Sequence, residues 1–171
     1  MWLLLLPGAA LGSLGGVIFP DSSTEFLAIG FSAGILVLDF LLLRALLEIV
    51  PATRRMVIVL YWLSPIVLYL NYWHGQVDVV PVLLMTASLV AIRRYRFTWA
   101  GVILGAAFAA KLSMMLALPF ILVYLIRNNR FRSYSPRFIA AVAITTGILQ
   151  GPFLFSTAVR SMVLDTPEAQ K

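Results

Sequence analysis

The sequence contains no cysteine and only one histidine, His74, among its 171 residues. The absence of cysteine excludes disulfides, thiol nucleophiles and thiolate-ligated zinc or iron–sulfur centres. A single histidine also excludes a histidine-rich metal site within one chain, and we assign no metal. The sequence lacks a phosphate-cradling glycine loop, a Walker lysine and the order of a Ser-His-Asp triad, which argues against ATP-driven chemistry inside this chain.

Charged residues are scarce, at 12% of the chain, whereas 61% of the residues are hydrophobic. A soluble domain needs more charge on its surface, and the mean hydropathy of +0.97 is typical of a polytopic membrane protein. The net charge of +6 comes from basic residues in short breaks between apolar runs. No basic domain offers a surface for nucleic acid. We therefore expect an integral membrane protein, in contact with membrane lipids and without a nucleic-acid partner.

Seven apolar segments predict an all-α, polytopic bundle of about seven membrane segments. They cover residues 2–19, 26–50, 56–72, 79–92, 99–110, 112–126 and 138–155. Because a crossing takes about 20 helical residues, the fifth and sixth segments are short. They form either two short helices that meet near Lys111 or a re-entrant hairpin. We assign residues 1–157 to the helical membrane domain and 158–171 to a polar, non-cytoplasmic tail. A cleaved signal peptide is the alternative for the first segment.

The breaks between the segments differ in charge. Those near 54–55, 93–96 and 127–137 carry arginines, whereas those at 20–25 and 74–78 are acidic or neutral. The positive-inside rule places the arginine breaks in the cytoplasm. The N-terminus is then cytoplasmic and the acidic breaks face the periplasm or a lumen, with a bacterial inner membrane favoured over the endoplasmic reticulum.

Two features of spacing concern helix packing. Arg44 and Glu48 lie four residues apart near the cytoplasmic end of the second segment, and a local ion pair explains them. Glycines also recur four residues apart, and each pair would make a notch where a second helix approaches closely. The pairs are Gly12/Gly16, Gly30/Gly34, Gly101/Gly105 and Gly147/Gly151. Packing within one bundle is the first interpretation, and association with a second membrane chain is the alternative.

The most informative polar stretch is Trp73-His74-Gly75-Gln76-Val77-Asp78, between two apolar segments. The desolvation cost of such groups at the end of a membrane span favours a functional role. If residues 73–77 are extended, His74, Gln76 and Asp78 point the same way, and their hydrogen-bonding groups suit a sugar. The alternative for Asp78 is an ordinary N-cap of the helix that follows.

Four other charged residues are candidates because of their position. Lys111 has no local carboxylate, so it either snorkels to the interface or contacts a phosphate on the same outer side as Asp78. Asp39 lies well inside the second segment, where an aspartate normally faces the bundle interior and has a partner. We interpret it as a structural or supporting group. Asp21 and Glu25 lie in the first outer loop and are secondary candidates for a second carboxylate.

Several short motifs, taken in their order, resemble those of polytopic glycosyltransferases of the GT-C type. The motifs are Ser64-Pro65 before an aromatic span end, the Trp73–Asp78 stretch, Ala100-Gly101 through Gly105 to Lys111, and Leu118-Pro119. The segment that carries Asp39 is also similar to the helix that precedes this block in such enzymes. The resemblance covers roughly residues 28–127.

This resemblance implies transfer of a hexosyl or mannosyl group from a polyprenyl-phosphate sugar on the outer side of the membrane. The lipid-linked sugar would be a donor substrate, and no cofactor is assigned. Asp78 would be the general base or a sugar-orienting group, and Lys111 would stabilise the phosphate. His74, Gln76 and Trp73 would bind the sugar.

The chain departs from the pattern of these enzymes, which carry a catalytic Asp or Glu in the first outer loop of a longer chain. Asp21 and Glu25 stand in a different context. A truncated enzyme, one piece of a split enzyme and a scaffold without the base all fit. The alternative function is therefore a non-catalytic subunit of a larger membrane complex. Half of a transporter would need an inverted repeat, and the two halves of the sequence show no convincing self-similarity.

Overall fold

The computed structural model describes residues 6–18, 22–73 and 78–154, and it is helical throughout apart from short connections. No strand occurs within these ranges, so the all-α prediction is confirmed for them. The α-helices are α1 (Leu6–Ile18), α2 (Ser23–Ile49), α3 (Arg54–Val57), α4 (Pro65–Leu68), α5 (Val79–Arg93), α6 (Phe97–Ala110), α7 (Leu118–Arg127) and α8 (Ser135–Leu154). The proposed tail at 158–171 lies outside the described residues.

One described helix is long and apolar enough to cross a membrane by itself. It is Thr24–Ile49 within α2, with 26 residues. The two halves of the third apolar segment, Arg54–Trp62 and Pro65–Trp73, pass the same test only when taken together. The described helices follow the seven apolar segments to within a few residues, whereas the count of seven crossings stays a prediction.

The third apolar segment is one run in the sequence but two helical pieces that meet at a bend of 45°. Ser64 has an extended backbone, with φ −68° and ψ 119°, because the residue before a proline is disfavoured in the helical region. Pro65 then opens α4, where its missing N–H costs nothing. Each piece ends in a π-helix, Ile58–Trp62 in the first and Tyr69–Trp73 in the second.

Contacts divide the chain into two compact units, Met1–Tyr95 and Arg96–Lys171. In the first unit, α1 packs along α2 through glycines. A side chain on Gly30 would overlap the carbonyl oxygen of Gly8, and a Cβ on Gly12 would lie 2.5 Å from the carbonyl oxygen of Phe26. These notches are therefore filled within the chain, as the first interpretation of the glycine pairs expected.

The end of α2 is held by two arginines at the end of α5, its last residue Arg93 and its C-cap Arg94. The Arg94 guanidinium donates two hydrogen bonds of 2.8 Å to the Glu48 carboxylate, and these bonds raise the pKa of Arg94. Arg93 donates to the carbonyl oxygens of Glu48 and Ile49, which have no partner within their own helix. The predicted pair between Arg44 and Glu48 is wrong, because Glu48 bonds to an arginine beyond α5 instead.

In the second unit, α6 and α8 pack closely through Gly101 and Gly105. A Cβ on Gly101 would lie 2.5 Å from the carbonyl oxygen of Phe138, and one on Gly105 would lie 2.8 Å from the Thr145 side chain. The Thr146 hydroxyl donates across this contact to the carbonyl oxygen of Gly105, at 3.2 Å. Backbone contact and a polar tether therefore join the two helices.

The helical run is interrupted at Lys111, as the sequence predicts. Helix α6 ends at Ala110, Lys111 is extended with φ −152° and ψ 115°, and a 3₁₀ turn over Leu112–Ala117 leads into α7. Pro119 stands in the first turn of α7, where proline is tolerated. Residues 99–126 therefore form two helical pieces that meet near Lys111, and whether both cross the membrane stays a prediction.

We expect the two glycine positions to respond oppositely to the same added methyl group. Gly101→Ala forces α6 away from α8 and lowers the free energy of unfolding by about 1–3 kcal/mol, the usual cost of overpacking. Gly147→Ala is the matched control, because an added Cβ would meet no described atom within 4 Å apart from its chain neighbours and its own helix backbone. Alanine stabilises a helix by up to about 1 kcal/mol relative to glycine, so this variant should melt at or above the wild-type temperature. Equal melting temperatures for the two variants would contradict the packing.

Candidate functional site

The described structure reaches both ends of the polar stretch at 73–78. His74 and Gln76 lie outside the described residues, as does Asp21. Trp73 closes the π-helix Tyr69–Trp73, so the expected extended run is wrong at its first residue. The Trp73 side chain is 83% exposed, which leaves its indole face accessible to a ligand.

Asp78 occupies the N-cap position of α5, but its side chain makes no capping hydrogen bond. Asp78 therefore stands at the predicted N-cap position, but the capping hydrogen bond that this interpretation implies is not made. The residue is half-buried, and its backbone carbonyl accepts a hydrogen bond of 3.3 Å from the Val82 N–H. The next two residues, Val79 and Val80, are buried against α2. The beginning of α5, and Asp78 with it, is thus fixed by packing.

Asp39 is a buried carboxyl group with several hydrogen-bond donors around it. It lies on α2, is 3% exposed and accepts hydrogen bonds from three side chains. The Tyr61 hydroxyl and the Asn71 amide both donate to its Oδ1, the latter at 3.5 Å. The Tyr72 hydroxyl donates to Oδ2 at 3.2 Å. Asn71 is itself buried and Tyr72 is exposed, so the network extends from the interior of the first unit to its surface.

We did not predict the three donors to Asp39 from the sequence, although the sequence contains a signal for one of them. A buried aspartate in an apolar helix needs polar partners, and Asn71 is the only amide in the third apolar segment. Its neighbours gave no such signal, because tyrosine at a span end has a sufficient explanation at the membrane interface. Tyr61 and Tyr72 both lie in π-helices, whose register a periodicity of 3.6 residues does not describe.

Glu25 does not join the Asp39 network. It is exposed in the first turn of α2, where a negative charge is favourable because of the helix dipole. At 1.5 Å per residue it lies about 21 Å along the helix from Asp39. Its position at a helix start is enough to explain it.

Lys111 belongs to the second unit and is exposed at the break after α6. Its backbone N–H donates to Ala107 and its carbonyl accepts from Met114, both at 3.0 Å. The 3₁₀ turn that it opens contributes Met115 to an apolar groove of about 270 Å³. The groove is otherwise lined by Phe108, Leu118, Ile139, Val142, Ala143, Thr146 and Gly147. A pocket shared by Lys111 and Asp78 stays a prediction.

The described residues contain no group of three His, Asp or Glu side chains that could hold a metal ion. The candidate residues that the structure describes supply single carboxyl groups, one indole ring and one exposed ammonium group, and tyrosine hydroxyls surround Asp39. Such groups can accept a proton, orient hydroxyls and neutralise a phosphate.

We expect the support beneath Asp78 to depend on Val80, which is fully buried in the cluster with Ile35, Leu38 and Leu42. Val80→Ala should lower the free energy of unfolding by about 2 kcal/mol, between the costs of Ile→Val and Leu→Ala in a core. Val59→Ala, at an exposed position of the same unit, should leave the melting temperature near wild type. Equal losses in the two variants would show that the cluster does not hold α5 in place.

Comparison with known proteins gives one match. The family model described as Glycosyltransferase family 87 matches residues 3–162, which include every candidate residue named above. No curated protein and no solved structure matches the sequence. The match extends over both units and agrees with the resemblance to glycosyltransferases that the motifs carry. The chain therefore belongs to glycosyltransferase family 87.

Proposed function

We propose that the chain transfers a hexosyl group, of the mannosyl type, from a polyprenyl-phosphate donor to an acceptor on the non-cytoplasmic side of a membrane. The observation that carries this proposal is the family match over residues 3–162. The membrane location is supported by the apolar helix Thr24–Ile49 and by the hydropathy of the whole chain.

A lipid-linked donor fits this chain better than a soluble nucleotide sugar. A nucleotide would need a basic, phosphate-cradling loop, and the sequence has none. A polyprenyl phosphate needs an apolar groove for its chain and one cation for its phosphate. The groove in the second unit is lined almost entirely by apolar side chains, and Lys111 opens the 3₁₀ turn that forms part of its wall.

The proposed reaction joins the acceptor oxygen to the anomeric carbon of the sugar while the bond from that carbon to the phosphate oxygen breaks. Asp78 takes the proton from the acceptor hydroxyl as general base. Lys111 stabilises the negative charge that remains on the leaving polyprenyl phosphate. His74 and Gln76 orient sugar hydroxyls, and the exposed Trp73 ring covers an apolar face of the sugar.

The proposed orientation is that of a bacterial inner-membrane protein with seven crossings and a cytoplasmic N-terminus. The arginine breaks then face the cytoplasm, according to the positive-inside rule. Residues 73–78 and Lys111 face the periplasm, where an acceptor and the donor phosphate can meet.

We expect Asp78→Asn to lower the rate of sugar transfer by about 10²–10⁴-fold, the usual contribution of a general base. The assay is transfer from a radiolabelled polyprenyl-phosphate hexose by purified protein in liposomes. Glu25→Gln is the matched control, because it neutralises another carboxylate of the first unit at an exposed position. A wild-type rate for Asp78→Asn, with loss of activity in Glu25→Gln, would reassign the base to Glu25 in the first turn of α2.

We expect Lys111→Ala to lower the same rate by about 10²–10³-fold, comparable with the loss of one group that stabilises developing charge. Lys111→Arg keeps the positive charge and should retain part of the activity, although its geometry differs. Full activity in Lys111→Ala would show that another group neutralises the phosphate.

The orientation can be tested by labelling single cysteines, because the native chain has none. Ser22→Cys, Gln76→Cys and Lys111→Cys should react with a membrane-impermeant maleimide from the periplasmic side. Arg94→Cys and Arg130→Cys should react only from the cytoplasmic side. Labelling of positions 76 and 111 from opposite sides would rule out a site that both residues share.

A second candidate function is that of a non-catalytic subunit, and one observation favours it. Gly147 and Gly151 form a notch on α8 that no described residue fills, so a helix of another membrane protein could pack there. Purified protein that binds no lipid-linked sugar, yet co-purifies with another membrane protein unless Gly147 is replaced by a bulky residue, would support this function over the first.

A further inference from the structure

Both ends of the polar stretch at 73–78 are attached to the same part of α2. The preceding π-helix reaches α2 through Asn71 and Tyr72, which donate hydrogen bonds to Asp39. The following helix reaches it through Val79 and Val80, which pack against a cluster on α2. The two attachments differ in chemistry, since one is polar and directional and the other is apolar.

The two attachments also lie close together on α2. The apolar cluster consists of Ile35, Leu38 and Leu42 on that helix, and Asp39 is the direct neighbour of Leu38. Positions 35 to 42 cover about 10 Å of the helix axis. The residues next to the Trp73 end and those next to the Asp78 end therefore contact the same two turns of α2.

We propose that Asp39 is a positioning residue for the helix end at Trp73, from which the 73–78 stretch leaves. Its two oxygens fix the helix end from which the stretch leaves, while the apolar cluster fixes the helix start at which the stretch returns. This inference rests on the proposed function only for its effect on sugar transfer. The positioning itself follows from the contacts of Asp39.

The three donors lie at different places along the chain. A positioning effect on the stretch can therefore be distinguished from a general loss of stability. Tyr72 adjoins Trp73, at the exit to the stretch. Tyr61 donates to the same carboxyl group but precedes the bend at Ser64-Pro65. Loss of the Tyr61 hydroxyl therefore weakens the hold on the first half of the bent segment, and loss of the Tyr72 hydroxyl releases the end that carries the stretch.

The effect of these bonds is large because Asp39 is 3% exposed, although the Tyr72 side chain reaches the surface. A buried acceptor that loses its donor keeps its full desolvation penalty, and a helix end that is no longer held by such bonds samples other positions. A catalytic group displaced by about 1 Å can lower a rate by about 10²-fold. The hydrogen bonds to Asp39 can thus control a reaction whose atoms they do not touch.

The test uses a cysteine introduced at position 77 of the otherwise cysteine-free chain. The rate of maleimide labelling of Val77→Cys is measured in four backgrounds: wild type, Tyr72→Phe, Asp39→Asn and Tyr61→Phe. We expect Tyr72→Phe and Asp39→Asn to change the labelling rate by about five-fold or more, the ratio that corresponds to about 1 kcal/mol. Tyr61→Phe, the matched control, should label near the wild-type rate.

A double variant shows whether the effect runs through the Asp39–Tyr72 contact. Asp39→Asn combined with Tyr72→Phe should change the labelling rate no more than Asp39→Asn alone, because both changes remove one interaction. Additive changes, or equal changes in Tyr61→Phe and Tyr72→Phe, would overturn the proposal. Melting temperatures are recorded for every variant, and Tyr72→Phe, which removes a single oxygen atom, keeps the comparison available if Asp39→Asn fails to fold.

Kinetics without the introduced cysteine connect the positioning to transfer. We expect Tyr72→Phe to lower kcat for sugar transfer at saturating donor by about ten-fold or more, with little change in KM for the donor. Tyr61→Phe should leave kcat near wild type. A wild-type protein without transfer activity would overturn the proposed function, and the labelling comparison would still decide the role of Asp39. An active wild type with unchanged labelling in Tyr72→Phe would overturn the positioning role alone.

Discussion

The first unit depends on one requirement: a carboxyl group buried in an apolar helix must receive hydrogen bonds. Asp39 is 3% exposed on a helix that is long enough to cross a membrane. Water has little access to a side chain this buried, so the donors have to come from the chain itself. Tyr61, Asn71 and Tyr72 supply them. Their position determines where the bent segment lies against α2. The two donors after the bend, Asn71 and Tyr72, determine where the polar stretch at 73–78 begins.

The bent segment delivers three donors to one carboxyl group because it is not a regular α-helix. Pro65 breaks it into two pieces, and each piece ends in a π-helix that carries one or more of the donors. Asn71 and Tyr72 are neighbours, and on an α-helix their side chains would point about 100° apart. Both nevertheless reach Asp39. Asn71 bonds to Oδ1 and Tyr72 to Oδ2, so the two oxygens of one carboxyl group serve neighbouring donors.

The sequence predicted most of the helices and little of what joins them. Apolar runs bounded by charges, glycine and proline carry a strong signal, and the break at Lys111 followed from the arginine clusters on either side of it. The pairing of Glu48 with Arg94 could not be predicted, because it joins residues 46 positions apart and the local partner Arg44 satisfied the same spacing rule. Burial of Asp39 could be anticipated from its surroundings, but its partners depend on π-helical register and on a bend. Those features arise from tertiary packing rather than from local propensity.

Helix α2 is the element of the first unit against which the other described segments pack. It receives α1 through glycine contacts, α5 through an apolar cluster and the bent segment through hydrogen bonds to Asp39. Glycosyl transfer needs a base and sugar-orienting groups held to within a fraction of an ångström, and sites mounted on regular elements meet that demand better than sites on long loops. The polar stretch at 73–78 is short, and the residues on both sides of it contact α2. Its ends, at Trp73 and Asp78, are set by these neighbouring residues that contact α2.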